Sequence, residues 1–513
     1  MCDGNQITDR DRERKERAPD RGAREKRMIA QTKYGPVEGK MTGRFYTFLG
    51  VPFAKAPVGE LRWKAPVEPD SWEGVYDATE YGYQSLQDGS IPEHTSGKGM
   101  SEDCLNVNIW TPGLDGAKRP VVVMYSGGGS TNGGNNNPVF NGTSFCGDRE
   151  VVMVFANFRL GMLGFLYLGH LLGEEYRTSG SCALMDQIFA LKWVRENIEN
   201  FGGDPDNITI MGQSAGGKTV SNMTLSPLAD GMYRRVIAMS GANQVIRDLE
   251  TSRVITNRFL EVNGIAKEDA AKLLTLPGDE ILRMQKKYYS VYDHVTGPTC
   301  DGITIPLDWE SMLRPGAKKG ISVLIGHTRE ESATVPMRIP DDETVRAKLN
   351  TMYGENGPHV YDVFREYCKT MPRYIAWQNL CTQYNYGDAS VRFAGKLARA
   401  GADVWFYRWE YPGSFRAAHG TDLAYVCGYA EQEAKDPRPE HLAEVGRMMN
   451  SSFMNFIQTG DPRTDGLEGW QPYTDAGEGT RMYFSDYPSA EPFSLENYDH
   501  DFPDFQLKLK EKA

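Results

Sequence analysis

One serine of this chain lies where it could act as a nucleophile. The stretch ITIMGQSAGGKT, residues 208–219, places Ser214 among small residues directly after an apolar run. The pentapeptide GQSAG (212–216) follows a predicted strand and opens a predicted helix, which is the strand–turn–helix setting of a nucleophile elbow. A helix N-terminus would aim backbone N–H groups at the reacting centre. The alternative interpretation is a tight glycine turn without chemical function.

A second glycine-rich stretch could supply hydrogen-bond donors for an oxyanion. The sequence VVVMYSGGGSTNGG, residues 121–134, is a predicted strand that runs directly into Gly127, Gly128 and Gly129. Glycines allow backbone N–H groups to point inward at a developing negative charge, about 3 Å away. The alternative interpretation is a flexible Gly/Asn loop over residues 131–137.

A serine nucleophile needs a histidine base, which in the strand–turn–helix hydrolases follows the serine along the chain. His419, in FRAAHGTDLAY, follows a predicted strand and precedes a glycine that permits close approach. His327 also follows a strand and is the rival. Position alone leaves the choice open among the histidines after Ser214, which are His294, His327, His359, His419, His441 and His500.

The elements that must position these residues alternate between strands and helices from about residue 105 to residue 245. Alternation of this kind predicts a largely parallel sheet, and two later strands belong to the same sheet. We therefore predict an α/β fold in one large domain, residues 28–513. The predicted strands are NVNIW, PVVVMYS, VVMVFANF, NITIMGQS, VIAMSG, SVLIGHT (322–328) and DVWFYRWEY (403–411), and the clearest predicted helix covers 182–201.

Charge and composition exclude several classes of protein. The 513-residue chain has a net charge of −12, which disfavours nucleic acid as a partner, and no apolar run has the length of a membrane span. Residues 1–27 are a mixed-charge run without a secretory signal, so we predict a disordered tail and a natural start near Met28. The eight cysteines are scattered without metal spacing, which favours free thiols in a reducing cytoplasm. The oligomeric state stays open.

Several stretches together resemble one family, the type-B carboxylesterases of the α/β-hydrolase fold. They run in the family's order from about residue 34 to residue 490. Several long motifs in order are far more specific than a lone G-x-S-x-G. The matching stretches are GVPFAKAPVGELRWKAP, SEDCLNVNIWTP, SGGGSTNGG, ANFRLGMLGFL, MDQIFALKWVRENIENFGGDPDNITIMGQSAGG, MSGAN, GHTREES and AAHGTDLAYVCG.

The resemblance implies a role for each matching residue. Ser214 matches the nucleophile, Glu331 the acid of the triad, with Glu330 as its neighbour, and His419 the base, so that His327 falls near the acid. The backbone N–H groups of Gly128, Gly129 and Ala215 match the oxyanion hole, and Ser240 matches a serine that lies behind the triad. The pairs Arg62–Glu102 and Arg159–Asp186 match ion pairs that stabilise the fold.

The chain departs from the family pattern around the site. Ser126 and Ser130 flank the glycine triplet where relatives often have larger residues, and Gln213 replaces a glutamate. Ser85 stands where the family has the disulfide partner of Cys104, so we expect that disulfide to be absent. These departures argue against a quaternary-ammonium substrate, which would require an aromatic cage and negative charge.

The resemblance implies a serine hydrolase of small to medium carboxylic esters that needs no metal or other cofactor. The polar stretch STNGGNNN beside the oxyanion loop suggests a polar substrate, such as a sugar or hydroxycinnamate ester. Tyr288, Tyr289 and Tyr292 are equally well interpreted as pocket walls or as a helix face. The alternative functions are an amidase with the same triad and a binding protein on the same fold.

Overall fold

A computed structural model describes most of the chain. The predicted tail and the proposed start at Met28 fall at its N-terminal limit, and residues 1–26 lie outside the described part, as does His294. The described residues are 27–88, 98–137, 142–147, 149–292, 295–333, 341–353, 356–411, 416–428, 436–474, 478–492 and 509–510.

A single large sheet organises the described part of the chain. Its strands follow the order β1-β2-β3-β7-β9-β8-β10-β11-β12-β13-β14-β15, with β4 paired to β2, and β5 and β6 form a separate small pair. The strands are β1 Arg27–Thr32, β2 Gly35–Thr42, β3 Phe45–Pro52, β4 Tyr76–Asp77, β5 Gln84–Ser85, β6 Met100–Ser101, β7 Asn106–Thr111, β8 Arg119–Tyr125, β9 Val152–Ala156, β10 Gly203–Gln213, β11 Arg235–Met239, β12 Ser322–Thr328, β13 Asp403–Trp409, β14 Thr480–Phe484 and β15 Ser489–Pro492.

The centre of this sheet is parallel. Strands β9, β8, β10, β11, β12, β13 and β14 pair in that order, each parallel to its neighbour. The strands towards both edges pair antiparallel, apart from the short parallel pair of β2 and β4. Continuous apolar runs such as VVVMY in β8 are buried on both faces, because helices cover parallel sheets on both sides. The prediction of a large, mostly parallel sheet is confirmed.

Helices cover the faces of the sheet and build a helical region between β12 and β13. The predicted helix 182–201 is Cys182–Asn197 followed by a 3-10 turn. The α-helices of the described residues are Thr143–Cys146, Gly161–Phe165, Gly169–Leu172, Cys182–Asn197, Ala215–Met223, Leu249–Val262, Gly278–Tyr289, Asp342–Tyr353, Gly357–Thr370, Arg373–Thr382, Asp388–Arg399, Thr421–Val426 and Pro439–Thr459, and a π-helical turn covers Gln383–Gly387.

Two buried ion pairs fasten the segments around the sheet, as the resemblance implied. Arg159 meets the carboxylate of Asp186 at 2.6 Å, with both side chains almost fully buried. Arg62 meets Glu102 at 2.5 Å and also donates to the carbonyl of Leu276. Each guanidinium therefore joins segments distant in sequence, and the prediction that these pairs form is confirmed.

Candidate active site

Ser214 lies in a sharp turn at the carboxyl end of β10. Its backbone has φ 59° and ψ −122°, a conformation that costs a non-glycine residue free energy and that persists mainly at functional sites. Its N–H donates to the carbonyl of Met239 at 2.8 Å, and the helix Ala215–Met223 begins at the next residue. The turn therefore exposes one serine at the edge of the sheet, next to the positive end of a helix.

The glycines of GQSAG are required by close packing across this turn. A Cβ at Gly212 would lie 2.2 Å from the backbone carbon of Gly216, and a Cβ at Gly216 would lie 2.2 Å from the carbonyl oxygen of Tyr125. Real Cβ atoms do not approach backbone so closely. The strand, the turn and the helix can therefore meet at Ser214 only because both residues lack side chains.

The glycine loop after β8 lies against the serine. A Cβ at Gly127 would be 3.2 Å from the Cβ of Ser214. Gly128 and Gly129 have φ of 103° and 63°, values that favour glycine. Within the described part of the chain, no hydrogen bond uses the N–H groups of Gly128, Gly129 or Ala215. These donors are therefore free to bind an oxygen beside Ser214.

Buried amides hold this loop in place. The Asn135 side chain is fully buried and donates to Oδ1 of Asn106 at 3.0 Å, while Gln84 donates to Oδ1 of Asn135 at 3.0 Å. The backbone N–H of Asn135 donates to the Asn157 side chain at 2.9 Å. The loop is therefore anchored rather than open, and Asn135 is committed to internal bonds instead of facing a polar substrate.

Glu331 and His419 come from loops after β12 and β13. Nδ1 of His419 and Oε2 of Glu331 form a short hydrogen bond. The other carboxylate oxygen accepts from Oγ of Ser240 at 2.6 Å and from the N–H of Thr328 at 2.7 Å. Three donors thus fix the carboxylate, and the carboxylate fixes the orientation of the imidazole.

The environment of Glu331 favours its ionised form. Burial by itself would raise the pKa of this carboxyl, but the charge and hydrogen bond of His419 and the hydroxyl of Ser240 bring the pKa below its usual range. Neighbouring Glu330 turns away and pairs with Arg416. The two adjacent glutamates therefore have separate partners, and Glu331 alone of the two contacts the histidine.

The free edge of the imidazole faces Gln213. Nε2 of His419 lies 3.3 Å from Nε2 of Gln213. With Nδ1–H donated to Glu331, Nε2 carries the lone pair and accepts from the amide. Among the described residues no hydrogen bond joins His419 to Ser214, and for such a bond to form the serine hydroxyl would have to replace this amide contact. Catalytic hydrogen bonds often tighten only when substrate binds.

Two buried titratable groups lie behind Glu331. His327 is almost fully buried, its Nδ1 is 2.8 Å from the carbonyl of Thr328, and burial lowers its pKa to about 3. Asp422 accepts from the hydroxyl of Tyr407 at 2.8 Å, and burial, together with the charge of Glu331, raises its pKa to about 7. Near pH 7, His327 is therefore neutral and lies as a buried neighbour of Glu331.

A cavity of about 330 Å³ opens beside Ser214. Tyr289 and Tyr292 line it, whereas Tyr288 is buried in the helix and packs on Phe259 with ring centroids 5.7 Å apart. Of the two interpretations of these tyrosines, the pocket wall therefore holds for Tyr289 and Tyr292, and the helix face holds for Tyr288. The loop 129–131 and Ala215 complete the side nearest the serine.

Several cavity residues, among them two with a positive charge, were not singled out from the sequence. Lys218, Arg247 and Tyr386 all line the cavity, and the ring of Tyr386 lies 4.8 Å from the His419 ring. Lys218 could have been found, because it lies one helical turn after Ser214 and therefore on the same helix face. Arg247 and Tyr386 carry no such signal, since they are distant in sequence and reach the site only through the fold.

The described ranges contain neither a candidate membrane span nor a candidate metal cluster. No helix there combines the length and the apolar character needed to cross a bilayer. No group of three or more His, Cys, Asp or Glu side chains there could hold a metal ion.

The fold defines the class of protein. A mostly parallel sheet with a serine elbow at its carboxyl edge, followed by an acid and a histidine on later strands, is the architecture of α/β-hydrolases. The chain matches the model of the Carboxylesterase family over residues 26–487 and belongs to that family. It is a carboxylic ester hydrolase.

Relatives from bacteria and mammals cover most of the chain. A para-nitrobenzyl esterase of Bacillus subtilis is 32% identical over 90% of this chain and 95% of its own length. A pyrethroid hydrolase of Rattus norvegicus is 30% identical over 83% of this chain and 80% of its own. The crystal structure of a carboxylesterase from Geobacillus stearothermophilus superposes with a TM-score of 0.80 at 33% identity, covering 91% of this chain and 98% of the other. The names of these relatives refer to different substrates, so membership of the family indicates the reaction type rather than the substrate.

Proposed function

We propose that Ser214, Glu331 and His419 are the catalytic triad of this hydrolase. The observation that supports this most directly is the convergence of three strand ends: the strained serine after β10, and the Glu331–His419 hydrogen bond formed by the loops after β12 and β13. We further propose Gly128, Gly129 and Ala215 as the oxyanion hole and Ser240 as a positioning residue for Glu331.

The reaction that follows has two steps. His419 takes the proton of Ser214 as Oγ attacks the ester carbonyl, and the three backbone N–H groups stabilise the oxyanion. His419 then gives this proton to the leaving alcohol as the ester C–O bond breaks and an acyl-enzyme remains. Water, deprotonated by the same histidine, then attacks the acyl carbonyl. The bond between the acyl group and Oγ of Ser214 breaks, the histidine returns the proton to this oxygen, and the acid is released. Glu331 holds the imidazole in the correct tautomer and stabilises its cation throughout.

The substrates that fit this proposal are small to medium carboxylic esters with a polar part. The cavity combines tyrosine rings and valines with two cationic side chains and the polar loop 129–131. Asn135 of the stretch STNGGNNN forms hydrogen bonds inside the protein and therefore gives no support to a polar substrate. The proposed preference for polar esters is based instead on the residues that line the cavity. Medium-chain aliphatic esters that exceed every polar ester in kcat/KM would contradict this preference.

The first test is hydrolysis of p-nitrophenyl acetate and butyrate by the wild type and by Ser214→Ala. Loss of the nucleophile typically lowers kcat about 10⁶-fold, so we expect the variant to be inactive while its circular dichroism matches the wild type. Ser311→Ala, a serine in a 3-10 turn away from the elbow, is the matched control. Retention of most activity in Ser214→Ala would refute the triad.

An amidase with the same triad is the second possibility, because ester and amide cleavage share this machinery. Matched p-nitrophenyl esters and p-nitroanilides of one acyl group separate the two: we expect the ester to dominate in kcat/KM. The cytoplasmic location stays a prediction from the sequence, which cell fractionation tests.

A further inference from the structure

The cavity beside Ser214 contains two cationic side chains that the proposed triad chemistry does not use. Lys218 and Arg247 both line it. None of the described lining residues is acidic. A cavity that binds only uncharged esters would need no charged side chains in its wall, and neutral ones would cost less folding free energy. The reason is that a charge taken out of water requires compensation.

Lys218 is placed to meet a ligand. It lies four residues after Ser214, and its backbone N–H donates to the Ser214 carbonyl at 2.9 Å, so the lysine begins one helical turn behind the nucleophile. Its ammonium lies 5.6 Å from the centre of the Tyr386 ring. Within the part of the chain that the structure describes, no carboxylate forms an ion pair with Lys218.

Arg247 adds a second positive charge. Its side chain is almost fully buried, and its guanidinium donates to the neutral carbonyls of Ile246 and Thr296 at 3.4 Å. Burial and the nearby charge of Arg247 lower the pKa of Lys218 to about 8. Both cations thus contribute positive charge to one cavity, and a bound anion would stabilise the charged form of Lys218.

The cavity also contains apolar surface, which could contact the part of a substrate that joins its charged group to the ester. Tyr289, Tyr292 and Val295 add apolar surface to the cavity that contains both cations and Ser214. Such a wall suits an organic part of the substrate that ends in one charged group, with the ester carbonyl held at Ser214.

We propose that this enzyme prefers esters that carry a carboxylate in addition to the ester group that is cleaved, and that Lys218 binds this carboxylate, with the charge of Arg247 adding to the positive potential of the cavity. The inference rests on the proposed function of Ser214, since the ester must react there. It names the substrate class: monoesters of dicarboxylic acids, or esters whose alcohol part carries a carboxylate.

A purely structural or catalytic role of Lys218 predicts a different result. If the lysine only stabilises the helix by packing on Tyr386, or only supports the charge of Glu331, its removal affects charged and neutral esters alike. If it binds a carboxylate, its removal changes the ratio between them. The charged-to-neutral ratio of kcat/KM therefore separates these roles.

The experiment uses two matched ester pairs. Mono-4-nitrophenyl adipate and its methyl ester differ in charge on the acyl side, and 4-acetoxybenzoate and 4-acetoxybenzamide differ in charge on the alcohol side. We expect the wild type to prefer the charged member of at least one pair. In Lys218→Met that ratio should fall about tenfold or more, the usual effect of losing one hydrogen bond to a charged group, and Lys218→Arg should restore most of it.

Lys287→Met is the control, because Lys287 is exposed on the helix Gly278–Tyr289 and lies outside the cavity lining. It should leave both ratios unchanged. A wild-type ratio at or below one in both pairs, or an unchanged ratio in Lys218→Met, would overturn the proposal.

A binding measurement separates this proposal from the triad. Isothermal titration of Ser214→Ala with the two adipate esters needs no turnover, so it remains informative even if the wild type hydrolyses none of the four esters. Tighter binding of the charged ester, weakened in Ser214→Ala/Lys218→Met, supports the anion site. Equal affinity for both esters contradicts it, whatever the fate of the triad.

Discussion

At the scale of single residues, the site depends on which partner each polar group has. Glu330 and Glu331 are neighbours in sequence, yet Glu330 pairs with Arg416 while Glu331 contacts His419 and Ser240. His327 and His419 both follow strands, but His327 is buried against the Thr328 carbonyl. The chemistry assigned to each residue therefore follows from contacts rather than from residue type.

The separate partners of the two glutamates give a matched pair of variants. Glu331→Gln should lower kcat about 10⁴-fold, because an amide cannot stabilise the imidazolium or enforce its tautomer. Glu330→Gln loses only a half-exposed ion pair with Arg416 and should keep nearly wild-type kcat. Steady-state kinetics with p-nitrophenyl butyrate measures both. Equal losses in the two variants would mean that the acid is wrongly assigned.

Buried His327 should make the fold sensitive to acid. Its folded pKa of about 3 lies below the ordinary value of 6.5, so between these values the unfolded chain binds one more proton. The free energy of unfolding therefore falls as the pH drops below about 6.5. The folding equilibrium constant falls with it, by up to about tenfold per pH unit.

The variant His327→Gln removes this titration. We expect the loss of stability between pH 7.5 and pH 5 to be about 2 kcal/mol smaller in the variant than in the wild type. Denaturant unfolding at both pH values measures it, and each protein serves as its own reference at pH 7.5. An identical loss of stability in both proteins would show that His327 is not the group responsible for the pH dependence of stability.

At the scale of elements, the site is made by strand ends that share one edge of the sheet. Strands β8, β10, β12 and β13 are parallel, so their carboxyl ends deliver the glycine loop, Ser214, Glu331 and His419 to the same edge. Ligand sites of open parallel sheets lie at this edge for that reason. The elbow at Ser214 is the most tightly packed of these junctions.

The elbow should not tolerate a side chain at its glycines. In Gly212→Ala the new Cβ would meet the backbone of Gly216 at 2.2 Å, so we expect insoluble protein or a loss of kcat/KM of at least about 100-fold, since a displaced nucleophile loses its alignment.

Gly395→Ala is the control for this prediction. Gly395 lies in the helix Asp388–Arg399, where the nearest atom to a new Cβ is 3.6 Å away. We expect unchanged activity and a gain of roughly 0.5–1 kcal/mol in the free energy of unfolding. Full activity in Gly212→Ala would show that the turn relaxes more easily than its packing implies.

At the scale of the whole molecule, buried charges join distant segments. The guanidinium of Arg159 bonds the Asp186 carboxylate and the carbonyl of Lys64, which links the chain after β9, the helix Cys182–Asn197 and the segment after β3. We propose that residues 28–513 form one domain held together in this way.

Breaking the Arg159–Asp186 pair should destabilise the whole fold. Asp186→Asn leaves a buried guanidinium without its counter-charge, which typically costs about 3–5 kcal/mol, so we expect a clearly lower Tm. Glu366→Gln, which removes an exposed pair with Lys369 on the surface of the helix Gly357–Thr370, should leave Tm unchanged. A wild-type Tm in Asp186→Asn would mean that the interior accommodates the charge without its partner.

The N-terminal run offers a further test of this domain. Removal of residues 1–27 should leave both folding and activity unchanged. Arg27 is the one residue of this run that belongs to a described strand, and its ion pair with Glu38 is solvent-exposed. Circular dichroism and p-nitrophenyl butyrate hydrolysis measure the outcome. A large loss of either would place a required segment before Met28.

The sequence by itself determined the architecture and singled out Ser214 as the proposed nucleophile, because both depend on local patterns. Apolar runs such as VVVMY predicted buried parallel strands, and GQSAG after a strand predicted the elbow. The family resemblance then singled out Glu331 and His419 from several acidic and histidine residues. Local patterns and motif order thus reached most of the proposed site.

Only the tertiary structure decided how the cavity is lined and charged. Arg247 and Tyr386 are far from Ser214 in sequence, and only the fold brings them to the cavity. Asn135 forms its hydrogen bonds inside the protein. Contacts of this kind join residues of large sequence separation, and no local periodicity encodes which side chain fills a shared space. The reaction type was therefore predictable from the sequence, whereas the charge of the cavity beside Ser214 emerged only from the fold.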